Sequence, residues 1–139
     1  MTHNRRWWPQ ALIALVWTTT IATGGDRSVT AAEANGTYRD GKSEIKILSV
    51  GPGKLKVEME IVTARDDGSA LGEATIENDV AIFVPPDTDG CKITITFLPG
   101  GSLKVESEGR PVDCGFGRMA SPDGTYKKTS SAKPKFSET

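Results

Sequence analysis

The sequence is short of the side chains that run most enzyme chemistry. Its 139 residues include one histidine, two cysteines and three tryptophans. The histidine, His3, and the tryptophans, Trp7, Trp8 and Trp17, all lie at the N-terminus. Without imidazole, the rest of the chain has no Ser-His-Asp or Cys-His nucleophile and no His-ligated metal site. Two cysteines are too few for a four-cysteine zinc centre or a disulfide-dense miniprotein. Charge of one sign is also missing: 17 Lys+Arg against 18 Asp+Glu give a formal net charge of −1. Nothing there drives binding to nucleic acid or to an anionic membrane. Beyond residue 35 nothing shows a convincing helical period. The length allows one ordinary domain. The expectation is a non-enzymatic protein with no metal and no other cofactor.

What is present starts with an export signal. Arg5 and Arg6 form a basic segment, and Ala11 to Trp17, continued weakly to Ile21 and Ala22, forms an apolar one. Thr18-Thr19-Thr20 and Gly24-Gly25 interrupt it well short of a bilayer span. Ala32-Glu33-Ala34 fits an A-x-A cleavage pattern, with Val29-Thr30-Ala31 a second choice. This predicts a cleaved signal peptide over 1–34, a periplasmic or secreted mature chain, and no stable membrane insertion after cleavage. Arg5-Arg6 leaves the general and twin-arginine routes both open. No Cys follows the apolar segment to carry a lipid.

Beyond residue 35 the pattern has a period of two. In Lys54-Leu55-Lys56-Val57-Glu58-Met59-Glu60-Ile61 the apolar side chains hold the odd positions and charge holds the even ones. Cys91 to Phe97 and Leu103 to Glu106 repeat this, and 43–50, 71–77 and 80–84 fit further strands. Such alternation marks half-buried strands. Gly51-Pro52-Gly53, Glu77-Asn78-Asp79 and Pro99-Gly100-Gly101-Ser102 supply hairpin turns, and residues 65–70 and 85–90 read as longer loops. About seven or eight short strands in one domain predict an all-β antiparallel barrel or sandwich over 35–127. Gly36-Thr37-Tyr38-Arg39 opens this domain and Gly124-Thr125-Tyr126-Lys127 closes it; pairing them would remove the exposed edges. Residues 128–139 are polar and aperiodic, and read as a disordered tail.

An even cysteine count in an exported chain predicts one disulfide, Cys91–Cys114. A redox pair would want Cys-x-x-Cys spacing or a thiolate-stabilising neighbour, and neither is visible. Other motifs dissolve on counting. Asp87-Thr88-Asp89-Gly90 starts like a calcium loop, but its twelfth position is Leu98 and its Gly comes too early. Glu58/Glu60 and Glu106/Glu108 share strand faces that alternate with apolar residues, so they read as solvated rather than as an acid pair. Asp66-Asp67 carries no signal, Gly100-Gly101 matches no phosphate loop, and Asn35-Gly36-Thr37 is a formal glycosylation sequon. Cys114-Gly115-Phe116-Gly117-Arg118 stands out. Phe116 reads as packing on the disulfide or, with Arg110 and Arg118, as an anchor offered to a protein partner.

Together, Cys114-Gly115-Phe116-Gly117, Ser121-Pro122-Asp123-Gly124-Thr125-Tyr126-Lys127, the opening Gly36-Thr37-Tyr38 and the strand from Cys91 to Phe97 resemble small exported β-domains of bacteria. They are similar to domains that accompany periplasmic lysozyme-inhibitor-like proteins. That resemblance implies an all-β envelope protein with a protein partner, such as a lysozyme. Membrane-bound inhibitors of c-type lysozyme insert a Ser-Gly-x-x-Tyr loop into the enzyme. Ser107-Glu108-Gly109-Arg110 departs from it by an intervening Glu and a missing Tyr, so no inhibitory residue carries over. The reading is a monomeric protein-binding module of the envelope, a lysozyme or hydrolase inhibitor as its specific form. The alternative is a carrier of a small apolar ligand. The bulky inward row from Leu55 to Val105 argues against it by filling the barrel.

Overall fold

A computed structural model describes residues 28–137. The leader segment up to residue 27 lies outside the described residues. Eight antiparallel strands follow one another without a crossover: β1 (Gly36–Asp40), β2 (Ser43–Gly51), β3 (Lys54–Val62), β4 (Asp67–Glu77), β5 (Val80–Phe83), β6 (Lys92–Leu98), β7 (Ser102–Glu108) and β8 (Gly124–Ser130). Each pairs with the next, and β8 pairs back onto β1 to close a barrel. An up-and-down meander closes antiparallel only with an even strand number, and closure leaves no free edge strand, although residues 67–73 of β4 run past the four-residue β5.

The hairpins form where the turn chemistry sits. Asp40 pairs with Ser43 across Gly41-Lys42, and Glu77 pairs with Val80 across Asn78-Asp79. Asn78 takes a left-handed φ of 55°, which a short polar side chain tolerates. The segment 65–70, expected as a loop, is mostly strand. Asp67 to Ala70 pair with Val62 to Met59, and only a tight turn remains, in which Thr63 N–H and Oγ1–H both donate to the Asp66 carbonyl at 2.9 Å. Gly68 and Ser69 hide this extension from an alternation test because neither is apolar.

Alternation works as expected inside. Ile45, Ile47, Leu55, Val57, Met59, Ile93, Ile95 and Leu103 are each 0% exposed. No surface that a water molecule could reach remains on them, so side chains fill this part of the interior. On one wall the small residues Ala74 and Ala81 stand beside the larger Phe83, the register neighbour of Ala74. Gly72 belongs to that wall; a Cβ there would lie 2.8 Å from Pro86 Cδ and 3.1 Å from the Phe83 ring.

The two strands that begin with Gly-Thr-Tyr do pair, with Tyr38 opposite Lys128 and Arg39 opposite Lys127, while Gly124-Thr125-Tyr126 themselves pair with β7. They also repeat one local device. Tyr38 O–H donates to the Ala34 carbonyl and Tyr126 O–H to the Pro122 carbonyl, each at 2.8 Å and each four residues back. Asn35 Oδ1 accepts Ser49 N–H at 2.6 Å, and Asp123 Oδ1 accepts Ser107 N–H at 2.7 Å. Both tyrosines are buried. Burial pushes the Tyr38 hydroxyl up to about 12, and pushes that of Tyr126 higher, with Asp40 and Asp123 adding to it.

Both boundaries of the domain shift outward. Ala34, expected to leave with the signal peptide, is 0% exposed and holds Tyr38, while Val29 and Ala31 pack against the core. A cut before Asn35 would remove that carbonyl; a cut after Ala31 would keep it. At the other end, Lys128 to Ser130 belong to β8 rather than to a tail. Residues up to Ser137 then lie against β3, where Ser137 binds Glu58.

Candidate functional site

The region that gathers the residues singled out above is the connection between β7 and β8. Its foundation is the Cys91–Cys114 disulfide, with Cα atoms 5.0 Å apart and a sequence separation of 23. A cross-link closing a loop of this length contributes about 3 kcal/mol in the chain-entropy picture. Cys114 ends a 3₁₀ turn, Pro111–Cys114, with Pro111 in its first turn and Gly115 leaving it at a φ of 85°. Asp113 shapes the entry. Its Oδ2 accepts the Arg110 backbone N–H at 2.9 Å, and its two oxygens receive the guanidinium at 3.2 Å each. Those bonds hold the Asp113 carboxyl below the usual carboxylate range and raise Arg110 further.

Beyond the turn, Phe116 is buried, 3% exposed, against Gly68 of β4. It is therefore a packing residue and not a partner anchor. A Cβ on Gly68 would lie 2.6 Å from Phe116 Cα, so glycine there lets the loop close on the barrel. Asp66 fastens the next stretch: its Oδ2 accepts Met119 N–H at 3.3 Å, and a side chain on Gly117 would collide with its carboxylate. On the far flank, a Cβ on Gly109 would lie 2.7 Å from the Gly90 carbonyl.

Above this base the exposed side chains converge. Arg110, Pro111, Val112 and Arg118 line one open depression of about 480 Å³. The Arg110 side chain is 79% exposed, Val112 49% and Met119 55%. Among the described residues Arg118 has no carboxylate within ion-pair distance. Arg110 and Arg118 are thus brought together, Phe116 is buried beneath them, and Cys91–Cys114 anchors the whole. Asp66 and Gly68 were invisible as parts of this site, because their role depends on residues about fifty positions away. Val112 was passed over because an isolated apolar residue in a loop has no periodicity to mark it.

Chemically, the site offers guanidinium and apolar surface on a braced backbone. Among the described residues no helix is long and apolar enough to cross a membrane. A disulfide belongs to an oxidising compartment. Fold and site together define a disulfide-stapled, eight-stranded up-and-down barrel carrying one braced, arginine-bearing loop. Comparison with known protein families, with curated proteins and with solved structures finds no match for this chain.

Proposed function

We propose that this chain is a non-enzymatic, exported β-domain of the bacterial envelope that binds another protein, with inhibition of a lysozyme or another envelope hydrolase as its specific form. The observation that carries the reading is the stapled loop. Arg110 and Arg118 flank Pro111 and Val112 in one depression on a backbone tied by the disulfide, by Asp113 and by Asp66. Arginine beside apolar surface is what interface centres are made of, and a braced loop loses little freedom on binding. Arg118, which has no ion pair among the described residues, calls for an acidic partner surface. The packed interior supports a binding module over a carrier of a small apolar ligand, since the inward row leaves no space at its centre.

The test titrates the full chain into c-type, g-type and i-type lysozyme assays, and in parallel captures partners from an envelope extract with native, Arg118→Glu and Val112→Asp baits. The expected outcome is a partner held by the native chain and lost from both variants, with at least one hydrolase slowed at stoichiometric ratio. Equal capture by all three baits would overturn the loop as the binding surface. A captured partner with no hydrolase slowed would overturn inhibition alone.

A further inference from the structure

A second site lies on the outer wall of the barrel. Glu58 belongs to the outward row of β3, where its neighbour Glu60 is exposed, yet Glu58 is only 4% exposed. What covers it is the segment 131–137, which leaves β8 and crosses to β3. Ser137 N–H donates to Glu58 Oε2 at 2.9 Å and Ser137 Oγ–H to Oε1 at 3.2 Å, while Lys46 Nζ stands 3.5 Å from Oε1. Lys56 Nζ sits 4.5 Å from the centroid of the Phe136 ring. Pro134 and Phe136 are half-buried and their neighbours exposed, the alternation of an extended peptide laid on a surface. The segment fills only part of its groove. From Glu58 and Ser137 a cavity of about 420 Å³ continues between Glu60, Ser69 and Asp87, with Pro86 and Gly115 in its lining. The next residue in sequence, Glu138, carries no cation.

We propose that this groove is a receptor site for an extended peptide of a partner protein, reading an aromatic residue, then Ser or Thr, then Lys or Arg, and that the chain's own residues 133–137 occupy its first half as a displaceable competitor. Each element has a recogniser in place. Lys56 lies over the ring. The buried Glu58 carboxylate takes a backbone N–H and a hydroxyl as charge-assisted bonds. Glu60 and Asp87 are left for a cationic side chain that the chain's own segment does not supply. The site is separate from the arginine-bearing depression and needs no part of the reading given to it.

The experiment measures fluorescence anisotropy of two labelled peptides, Lys-Pro-Lys-Phe-Ser-Arg and Lys-Pro-Lys-Phe-Ser-Glu, with the full chain and with the full chain carrying Phe136→Ala and Ser137→Ala together. Releasing a tethered competitor should tighten binding of the Arg-ended peptide by about tenfold or more. The Arg-ended peptide should bind about threefold tighter than the Glu-ended one, the size of an exposed ion pair, and Asp87→Asn should shrink that ratio. Glu58→Gln in the released variant should abolish binding. The proposal is overturned if the released variant, with its disulfide and circular dichroism unchanged, binds no tighter than the full chain. It is equally overturned if Asp87→Asn and Glu58→Gln both leave binding as it was.

Discussion

The two strands that close the barrel begin with the same Gly-Thr-Tyr and repeat one local hydrogen bond, but they are secured by different means. At β1, Gly36-Thr37-Tyr38 ties its tyrosine to Ala34, and a turn over 31–34 is held by contacts such as Lys128 Nζ to the Glu33 carbonyl at 3.0 Å. At β8, Gly124-Thr125-Tyr126 ties its tyrosine to Pro122, downstream of a loop that the disulfide bolts to the start of β6. One device thus serves as plain closure at one end and as the footing of an exposed, arginine-bearing loop at the other. The difference teaches that each tyrosine bond is written locally, within four residues, while the bracing of the loop depends on partners far along the chain.

Removing the covalent brace should separate the two ends most. Cys91→Ala with Cys114→Ala is expected to cost about 3 kcal/mol in urea unfolding. Amide exchange should rise across 109–120 while β1 stays protected, and equal loss at both ends would erase the distinction. Next comes Gly68→Ala, which drives a methyl into the Phe116 backbone. A cost of about 1–3 kcal/mol is expected, from overpacking. Its signature is a shifted Phe116 environment in NMR spectra, with the Tyr38 signals unmoved.

The tyrosines test the likeness directly. Tyr38→Phe and Tyr126→Phe each leave one buried carbonyl without its donor, at about 1 kcal/mol apiece. A marked inequality in chemical denaturation would show that the loop leans on Tyr126 more than the turn leans on Tyr38. Burial favours the neutral hydroxyl, so both folded pKa values stand above the unfolded value near 10. The stability they contribute is therefore complete below pH 10 and drains away as pH rises toward 12. Thermal melts across that window should fall for the native chain and fall less for either Phe variant.

The smallest effect belongs to Asp113. Its folded pKa is depressed by Arg110, so its contribution is present above the unfolded value near 4 and is lost as pH falls through the folded one. Chemical shifts of Arg110 and Val112 should move in that acid range, and Asp113→Asn should remove the movement with little change in melting temperature.

Most of the barrel was legible in the residues. The alternation from Lys54 to Ile61 gave β3 and its inward row, and Pro52-Gly53 and Asn78-Asp79 stood where turns form. The cysteine pairing followed from count and context. What escaped was interrupted by small or polar residues, as in Asp67 to Ala70, or lay beyond a boundary drawn from composition, as with Ala34 and Ser137. Phe116 was half legible: its type was noted, but its burial depends on Gly68.

By itself, then, the sequence determined an all-β antiparallel domain, barrel or sandwich, with its hairpins and its staple, because period-two patterning, turn residues and cysteine number act within a few positions or by elimination. Closure into a barrel was decided by the tertiary structure. Only the tertiary structure decided that Glu58 is buried outside the barrel, that Phe116 lies under the loop and that Arg110 and Arg118 share one depression. Those facts arise where segments distant in the chain pack together, and contacts of that kind leave no periodicity for a local reading to find.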